Sequence, residues 1–328
     1  AAERQAKKAA AIRTWIDWRQ NVLRDPDAYF SKASIARIVS DFGYVLNHDL
    51  RDMGQRSYWS AASISGHFNA AITECVRTAF CAYWRTIKVP LCSKRPAGER
   101  NTVWSTWILA LAGVYAEAER QNWARDLTRK DAETAACLVS AESGGFPPWI
   151  VDLVTHQPAA VEATLCEELS AQLGDAVSFE FPGLLADFSR ADQQVLEFCA
   201  PRVWAWLSTT DAAFADERQQ ARMHDHLERA IDYLLRSSFD RSHLIALAQS
   251  RLSDGLGGPF TLLWLMLLLS TVPREAIGLL EQHIGTLDPL SRYHLCENLF
   301  ATFDERRSVR CCLDLSGQDF TPAVLLSL

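Results

Sequence analysis

The chain lacks the glycine-rich motifs that mark the commonest nucleotide-binding and hydrolase folds. A P-loop needs glycine, lysine and then serine or threonine, because backbone amides and the lysine converge on the phosphates. No glycine among the 328 residues is followed by lysine. Gly-x-Ser-x-Gly, which holds a nucleophilic serine on a strained turn, is also absent. The sequence therefore excludes P-loop nucleotide hydrolysis and the α/β-hydrolase mechanism.

Long apolar runs are missing too. The most apolar stretch, Phe260 to Val272, lies between Pro259 and Pro273 and is shorter than the roughly 20 residues that a membrane-spanning helix needs. Because it is apolar all round, we expect a core helix wrapped by neighbours. Residues 1–8 are charged and carry no secretory signal. These features predict no membrane association and a cytoplasmic location.

The nine cysteines do not form a disulfide framework. They are odd in number and scattered, and most lie in apolar helical stretches where a small side chain would pack. This distribution predicts buried free thiols in a reducing compartment. The cysteines in such positions are Cys75, Cys81, Cys137, Cys166 and Cys199.

A general attraction to nucleic acid is not expected. The formal net charge is −7, so binding to phosphates would need a local basic patch. The best candidate is Arg306, Arg307 and Arg310, but Asp304 and Glu305 precede it. Helical spacing would spread these charges over a solvated face, and we therefore predict no nucleic-acid partner.

Catalytic and metal-binding clusters are also not apparent. His224 and His226 are two residues apart in a predicted helix, which points their side chains about 200° apart and prevents a shared ion. The adjacent pairs Glu167 with Glu168 and Asp216 with Glu217 are expected to fan outward onto solvated faces. We therefore assign no catalytic, cofactor-binding or metal-binding residue.

What the sequence does contain is helical periodicity. Apolar residues recur at steps of three and four along nearly the whole chain, as in the stripe Met223, Leu227, Ile231 and Leu234. Alternating β-branched runs between tight turns are missing. The pattern predicts an all-α protein, either an irregular α-solenoid or a multi-helix array of antiparallel helix pairs.

Prolines divide this pattern into segments, because proline is tolerated in the first turn of a helix and disrupts its interior. We predict a helix start after each of Pro148, Pro158, Pro182, Pro201, Pro259, Pro273, Pro289 and Pro322. Longer helices are predicted over 3–24, 28–51, 60–88 and 103–121, and the longest loop over 90–101.

Aromatic composition suggests two regions. Ten of the eleven tryptophans precede Leu207, which predicts a Trp-rich helical region over 1–210 and a helical-repeat region over 211–328, with the boundary between Ser208 and Glu217. The last residues, 321–328, open an apolar helix behind Pro322 without a cap. We therefore expect the second region to be truncated and the chain to be part of a longer polypeptide.

Three aromatic features could serve binding or packing. Trp15 with Trp18, and Trp104 with Trp107, are three apart and share helix faces. Such faces could anchor a partner, although core packing is the favoured interpretation. The segment 146–149, Phe-Pro-Pro-Trp, predicts a structural corner that follows the helix-ending Gly144 and Gly145.

The stretch from Val103 to Leu173 resembles helical regions that follow the nucleotide-binding module in large bacterial NACHT-type and related STAND ATPases. The residues that carry the resemblance are Trp107, 109–113, 116–120, Trp123, 127–128, 146–149 and 158–161. In that class a helical sensor array recognises a trigger, often a viral protein in antiphage defence. The resemblance implies that this chain is the sensor part, without ATP chemistry of its own.

The sequence thus favours a protein-recognition or scaffolding module of a larger bacterial protein, and the resemblance implies that it is the trigger-sensing part of a defence ATPase. Its expected partner is a phage protein or another domain of the same polypeptide, and no cofactor is expected. Two alternatives remain open. A helical hydrolase or transferase would assemble a polar pocket only in three dimensions, and a nucleic-acid binder would form a contiguous basic groove.

Overall fold

The protein is all-α, as the periodicity predicts. A computed structural model describes residues 2–52, 58–100, 102–142, 145–175, 183–210, 216–253 and 260–293. Within these ranges every regular element is helical and β-strands are absent. The predicted basic patch at Arg306, Arg307 and Arg310 lies outside the described residues, as do Gly144, Pro182, Pro259 and Pro322 themselves.

The chain forms two compact units, Ala1–Glu168 and Leu169–Leu328. The division between these units comes before the predicted domain boundary between Ser208 and Glu217. That domain boundary stays a prediction. The arrangement as an α-solenoid also stays a prediction. In the described part of the chain, no helix is both long enough and apolar enough to cross a bilayer.

The described residues of unit 1 form nine complete α-helices. They are α1 Ala2–Arg24, α2 Pro26–Lys32, α3 Ile35–Asp52, α4 Ala61–His67, α5 Ala70–Trp84, α6 Ser105–Ala118, α7 Arg129–Leu138, α8 Ile150–His156 and α9 Pro158–Val161. Four 3₁₀ turns, Cys92–Lys94, Ala97–Glu99, Trp123–Asp126 and Val139–Ala141, and one π-helical turn, Glu162–Cys166, complete the described elements.

Two of the predicted long helices are each divided, which corrects the ranges 28–51 and 60–88. The first is interrupted at Ala33, whose backbone is extended, and Ser34 then accepts a hydrogen bond from the Arg37 amide. The second is interrupted at Phe68, after which the Asn69 side chain caps α5 by accepting the Ile72 amide at 2.9 Å. Serine and asparagine compete for backbone donors in this way, so they start new helices inside an apolar pattern.

The core of unit 1 depends on the close approach of α5 and α6. α6 carries small buried residues, Ala110, Ala112, Gly113 and Ala116. A Cβ on Gly113 would overlap the backbone carbonyl oxygen of Phe80 and lie 3.0 Å from Cδ1 of Trp84. Gly113 is therefore a point of close approach between the two helix backbones.

Unit 2 is built from α10 Glu167–Gly174, α11 Gly183–Asp187, α12 Gln193–Thr209, α13 Glu217–Arg236, α14 Arg241–Ser253, α15 Thr261–Thr271 and α16 Pro273–Thr286. α15 is the predicted core helix, with eight buried residues. The stripe Met223, Leu227, Ile231 and Leu234 is buried on α13, and the Tyr233 hydroxyl donates to the Leu196 carbonyl.

The predicted helix start at Pro201 is wrong, because Pro201 lies inside α12. The helix begins earlier, where the Asp192 side chain accepts the Gln194 amide at 2.9 Å. Proline removes one backbone hydrogen bond from a helix, and Pro201 is exposed, so water can solvate the carbonyl that loses its donor. Pro158 and Pro273 do occupy first-turn positions, as predicted.

Candidate recognition groove

A concave surface lies within unit 1. It is a groove of about 620 Å³, within the range of roughly 300–1,000 Å³ that ligand sites usually have. Three walls form it: the segment that leaves α5, one face of α7, and the π-helical turn after α9. Its lining residues are Arg85, Thr86, Ile87, Lys88, Val89, Pro90, Leu91, Lys94, Lys130, Glu133, Thr134, Cys137, Ala163 and Thr164.

The α7 wall follows directly from helical spacing. Four of its residues line the groove at steps of three, one and three along the helix, so they share one face: Lys130, Glu133, Thr134 and Cys137. Thr128 caps this helix by accepting the Asp131 amide at 3.2 Å. The cap fixes where the helix begins and therefore which side chains face the groove.

The π-helical turn Glu162–Cys166 supplies the second wall through Ala163 and Thr164. Thr164 is buried, and its hydroxyl donates to the Ala160 carbonyl at 2.7 Å. Single π-turns within α-helices are rare and frequently mark functional sites. This turn is therefore an independent indication that the groove is functional.

The third wall is held against the helix by a buried carboxylate. Glu168 is 1% exposed and accepts hydrogen bonds from the Ser93 amide at 2.9 Å and the Ser93 hydroxyl at 2.6 Å. Lys94 and Glu167 form an exposed ion pair at 3.0 Å. The predicted solvated face for Glu167 and Glu168 is thus wrong for Glu168, because the loop after α5 folds over it.

Arg85 lies at the junction of α5, α6 and α7. Its guanidinium donates to both carboxylate oxygens of Glu117 at 2.6 Å and to Asp131 at 3.3 Å. The Trp84 indole donates to the same Glu117 carboxylate at 2.9 Å. The hydrogen bonds to Glu117 raise the pKa of Arg85. The charge of Arg85 is therefore already matched by carboxylates within the unit.

Arg95 shapes the loop behind the groove. It is buried, stacks over the Trp107 ring at 4.4 Å and donates to the Pro90 carbonyl at 3.0 Å and the Ser140 hydroxyl at 2.9 Å. Burial lowers the pKa of this guanidinium. Trp107 is thus a packing residue, as favoured, whereas Trp104 is 52% exposed. These contacts hold the described residues of the predicted loop 90–101 in place.

Two of the groove's cations have no internal counter-charge. Lys94 pairs with Glu167, and Glu133 pairs with Arg129 at 2.9 Å. Among the described residues, neither Lys88 nor Lys130 has a carboxylate within ion-pair distance. Both side chains are exposed, so the groove carries unneutralised positive charge in an acidic protein.

Cys137 does not supply a nucleophile to the groove. Burial raises the pKa of its thiol to about 11, and only the thiolate attacks electrophiles or binds metal efficiently. Within the described ranges, no group of three or more histidine, cysteine, aspartate or glutamate side chains could hold a metal ion. The groove is thus suited to binding, and its described residues do not form a catalytic constellation.

Four further residues named in the sequence analysis have structural roles. His226 is buried in unit 2, where its Nδ1 lies 2.9 Å from the Arg222 carbonyl. The Asp216 side chain caps α13 by accepting the Gln219 amide at 2.8 Å. Trp18 packs edge-on against Phe42. Trp149 is buried at the predicted corner before α8.

Sequence reasoning missed the lysines that line the groove. A signal was present: arginine outnumbers lysine 27 to 6, and Lys88, Lys94 and Lys130 are half of those six. Their convergence could not be read from the sequence, because Lys88 and Lys130 are 42 positions apart and only the fold of the loop after α5 brings them to one groove.

No protein-family model, curated protein or solved structure matches this chain. The geometry of the described residues is therefore the basis for any function assigned to it.

Proposed function

We propose that this chain is a protein-recognition module that binds its partner through the groove of unit 1. The single observation that carries the proposal is a preformed groove with two exposed, unpaired lysines, Lys88 and Lys130, on its rim. Charge arranged around an apolar concavity serves recognition, since it steers encounter and fixes the register of a partner.

Rigidity supports the same proposal. The walls are fixed by the buried Glu168 contacts to Ser93 and by the bidentate pair of Arg85 with Glu117. A surface held in one geometry loses little conformational entropy on binding, which raises affinity for a given contact area. The groove is therefore preorganised for its ligand.

The resemblance of 103–173 to sensor regions of bacterial NACHT and STAND ATPases adds a finer proposal. The α7 and π-turn walls belong to that stretch, as do Lys130, Glu133 and Thr164. In this proposal the chain senses a trigger protein, of phage origin, for a larger defence protein. The groove would then be the point at which the trigger is read.

A display selection tests the recognition role. The full chain is immobilised and challenged with displayed protein fragments from bacterial and phage genomes, and enriched fragments are titrated by calorimetry. We expect at least one fragment to bind saturably to the native chain and not to a heat-denatured control. The proposal is wrong if no fragment binds the native chain better than the control. Enrichment confined to bacterial fragments would refute the phage-trigger proposal alone.

A further inference from the structure

We propose that the groove binds an extended, acidic peptide segment, with carboxylates on Lys88 and Lys130 and alternate apolar side chains on the floor. This inference rests on the proposed function, because it names the chemistry of the partner at that site. Three observations carry it: the uncompensated charges, the apolar floor and the free backbone of the segment after α5.

The uncompensated charges of the groove favour an anionic ligand. Of the groove's cations, Arg85 is matched by Glu117 and Asp131, and Lys94 by Glu167. Lys88 and Lys130 are left to attract a ligand. A lysine ammonium is a compact point charge on a flexible stem and accepts single carboxylates from many directions. Two such groups on one rim suit a ligand that carries spaced carboxylates.

The floor selects a ligand that also has apolar side chains. The apolar lining residues that form this floor include Ile87, Val89, Leu91 and Ala163. In an extended peptide alternate residues point to the same side. A bound peptide in that conformation would present its apolar residues to this floor and its carboxylates to the rim.

The unpaired backbone groups of the segment after α5 favour a ligand in an extended conformation. Residues 87–91 have no regular secondary structure, and the amide and carbonyl groups of Lys88 and Val89 make no hydrogen bond within the described chain. In β-augmentation an added peptide strand satisfies backbone groups that are unpaired in this way. A helical ligand could not satisfy them, since its backbone groups are already paired.

A peptide fits better than a nucleic acid. Non-specific nucleic-acid grooves place aromatic side chains beneath the bases and cations along the backbone, whereas the lining contains no aromatic residue and includes Glu133. A planar, bidentate clamp on phosphate typically uses arginine, and the lining's one arginine, Arg85, is held by Glu117.

The test uses the full chain and a short fluorescent peptide of alternating glutamate and valine, followed by anisotropy. The matched ligand replaces each glutamate with glutamine. The test variant is Lys88→Glu with Lys130→Glu, and the control is Lys32→Glu, which reverses an exposed lysine on α2 outside the groove. Circular dichroism confirms that each variant is folded.

We expect the glutamate peptide to bind the native chain about tenfold more tightly than the glutamine peptide, because two exposed ion pairs each contribute modestly. The double reversal should remove this preference, and Lys32→Glu should keep it. Equal binding of the two peptides, or a preference that survives the double reversal, would overturn the inference. So would competition by inorganic phosphate at peptide-like concentrations, which indicates a free-anion site, or tighter binding of a short RNA.

Failure of this inference can be separated from failure of the recognition role. If the double reversal leaves the affinity of a selected protein fragment unchanged, the groove is not the binding site, but the chain is still a recognition module. If no fragment binds at all, the recognition role itself is wrong.

Discussion

Replacing Gly113 by alanine tests the packing on which unit 1 is built. Gly113 lies in the interior of α6, where a Cβ would overlap the Phe80 carbonyl oxygen and lie 3.0 Å from Cδ1 of Trp84. The carbonyl belongs to the backbone of α5, so it cannot rotate away as a flexible side chain could. The methyl group can be accommodated only if the two helices separate.

The magnitude follows from two opposing effects. Overpacking a buried contact costs about 3 kcal/mol at the upper end of the usual range, and a rigid carbonyl places Gly113→Ala there. Alanine in a helix interior is favoured over glycine by about 1 kcal/mol. The expected net loss is therefore about 2 kcal/mol of unfolding free energy. A separation of about 1 Å would also forfeit about a quarter to a half of the dispersion energy of each affected contact.

The assay is thermal and urea unfolding followed by circular dichroism, with the near-ultraviolet signal reporting on the packing of the aromatic side chains. The loss corresponds to a fall in Tm of about 4 to 8 °C for a unit of this size. Gly278→Ala is the matched control, because Gly278 is exposed within α16 and a Cβ there meets nothing within 4 Å. It should gain up to about 1 kcal/mol from helix propensity alone. The packing argument is wrong if Gly113→Ala is as stable as the native chain while Gly278→Ala shows its gain.

Three further predictions concern charge and titration. Burial lowers the pKa of His226 from its ordinary value of 6.5. The contribution of neutral His226 to the stability of unit 2 should therefore be fully present above pH 6.5 and be lost as the pH falls through the lower pKa of the folded state. Urea unfolding at a series of pH values across this range measures the loss. Arg85→Met should cost about 3 kcal/mol of unfolding free energy, because it leaves the Glu117 carboxylate buried without its partner. Cys75 is exposed, so the expectation of a buried thiol there is wrong, and in time-resolved mass spectrometry iodoacetamide at mildly alkaline pH should label it well before Cys137, whose pKa is raised to about 11.

Each has a matched control. His226→Gln should flatten the acid loss, whereas His243→Gln, at a mostly exposed position, should not; equal slopes would count against the role of burial. Adding Glu117→Met to Arg85→Met should recover part of the loss, and simple additivity would refute coupling. Labelling of Cys137 at the rate of Cys75 would contradict its burial.

Much of the helical fold could be predicted from local pattern. The core helix α15 follows from an apolar run between two prolines, and the stripe on α13 from a period of three and four residues. The divided helices were also readable in principle, because Ser34 and Asn69 are helix-capping residue types. They were missed because apolar periodicity continues across the interruptions, and periodicity alone does not register a cap.

The candidate groove could not be predicted in this way. Adjacent residues such as Glu167 and Glu168 differ in burial, the first in an exposed ion pair and the second under the Ser93 loop. Lys88 and Lys130 share one rim although they belong to separate segments. Local spacing encodes which face of a helix a residue occupies, but not which loop folds over that face.

By itself, then, the amino-acid sequence determined that the chain is helical and which stripes must be buried, since backbone hydrogen bonding and apolar period are properties of neighbouring residues. Only the tertiary structure decided which charges are neutralised and which remain free for a ligand. The reason is that the pairing of Arg85 with Glu117, and the lack of a partner for Lys88, depend on distances between segments remote in the chain.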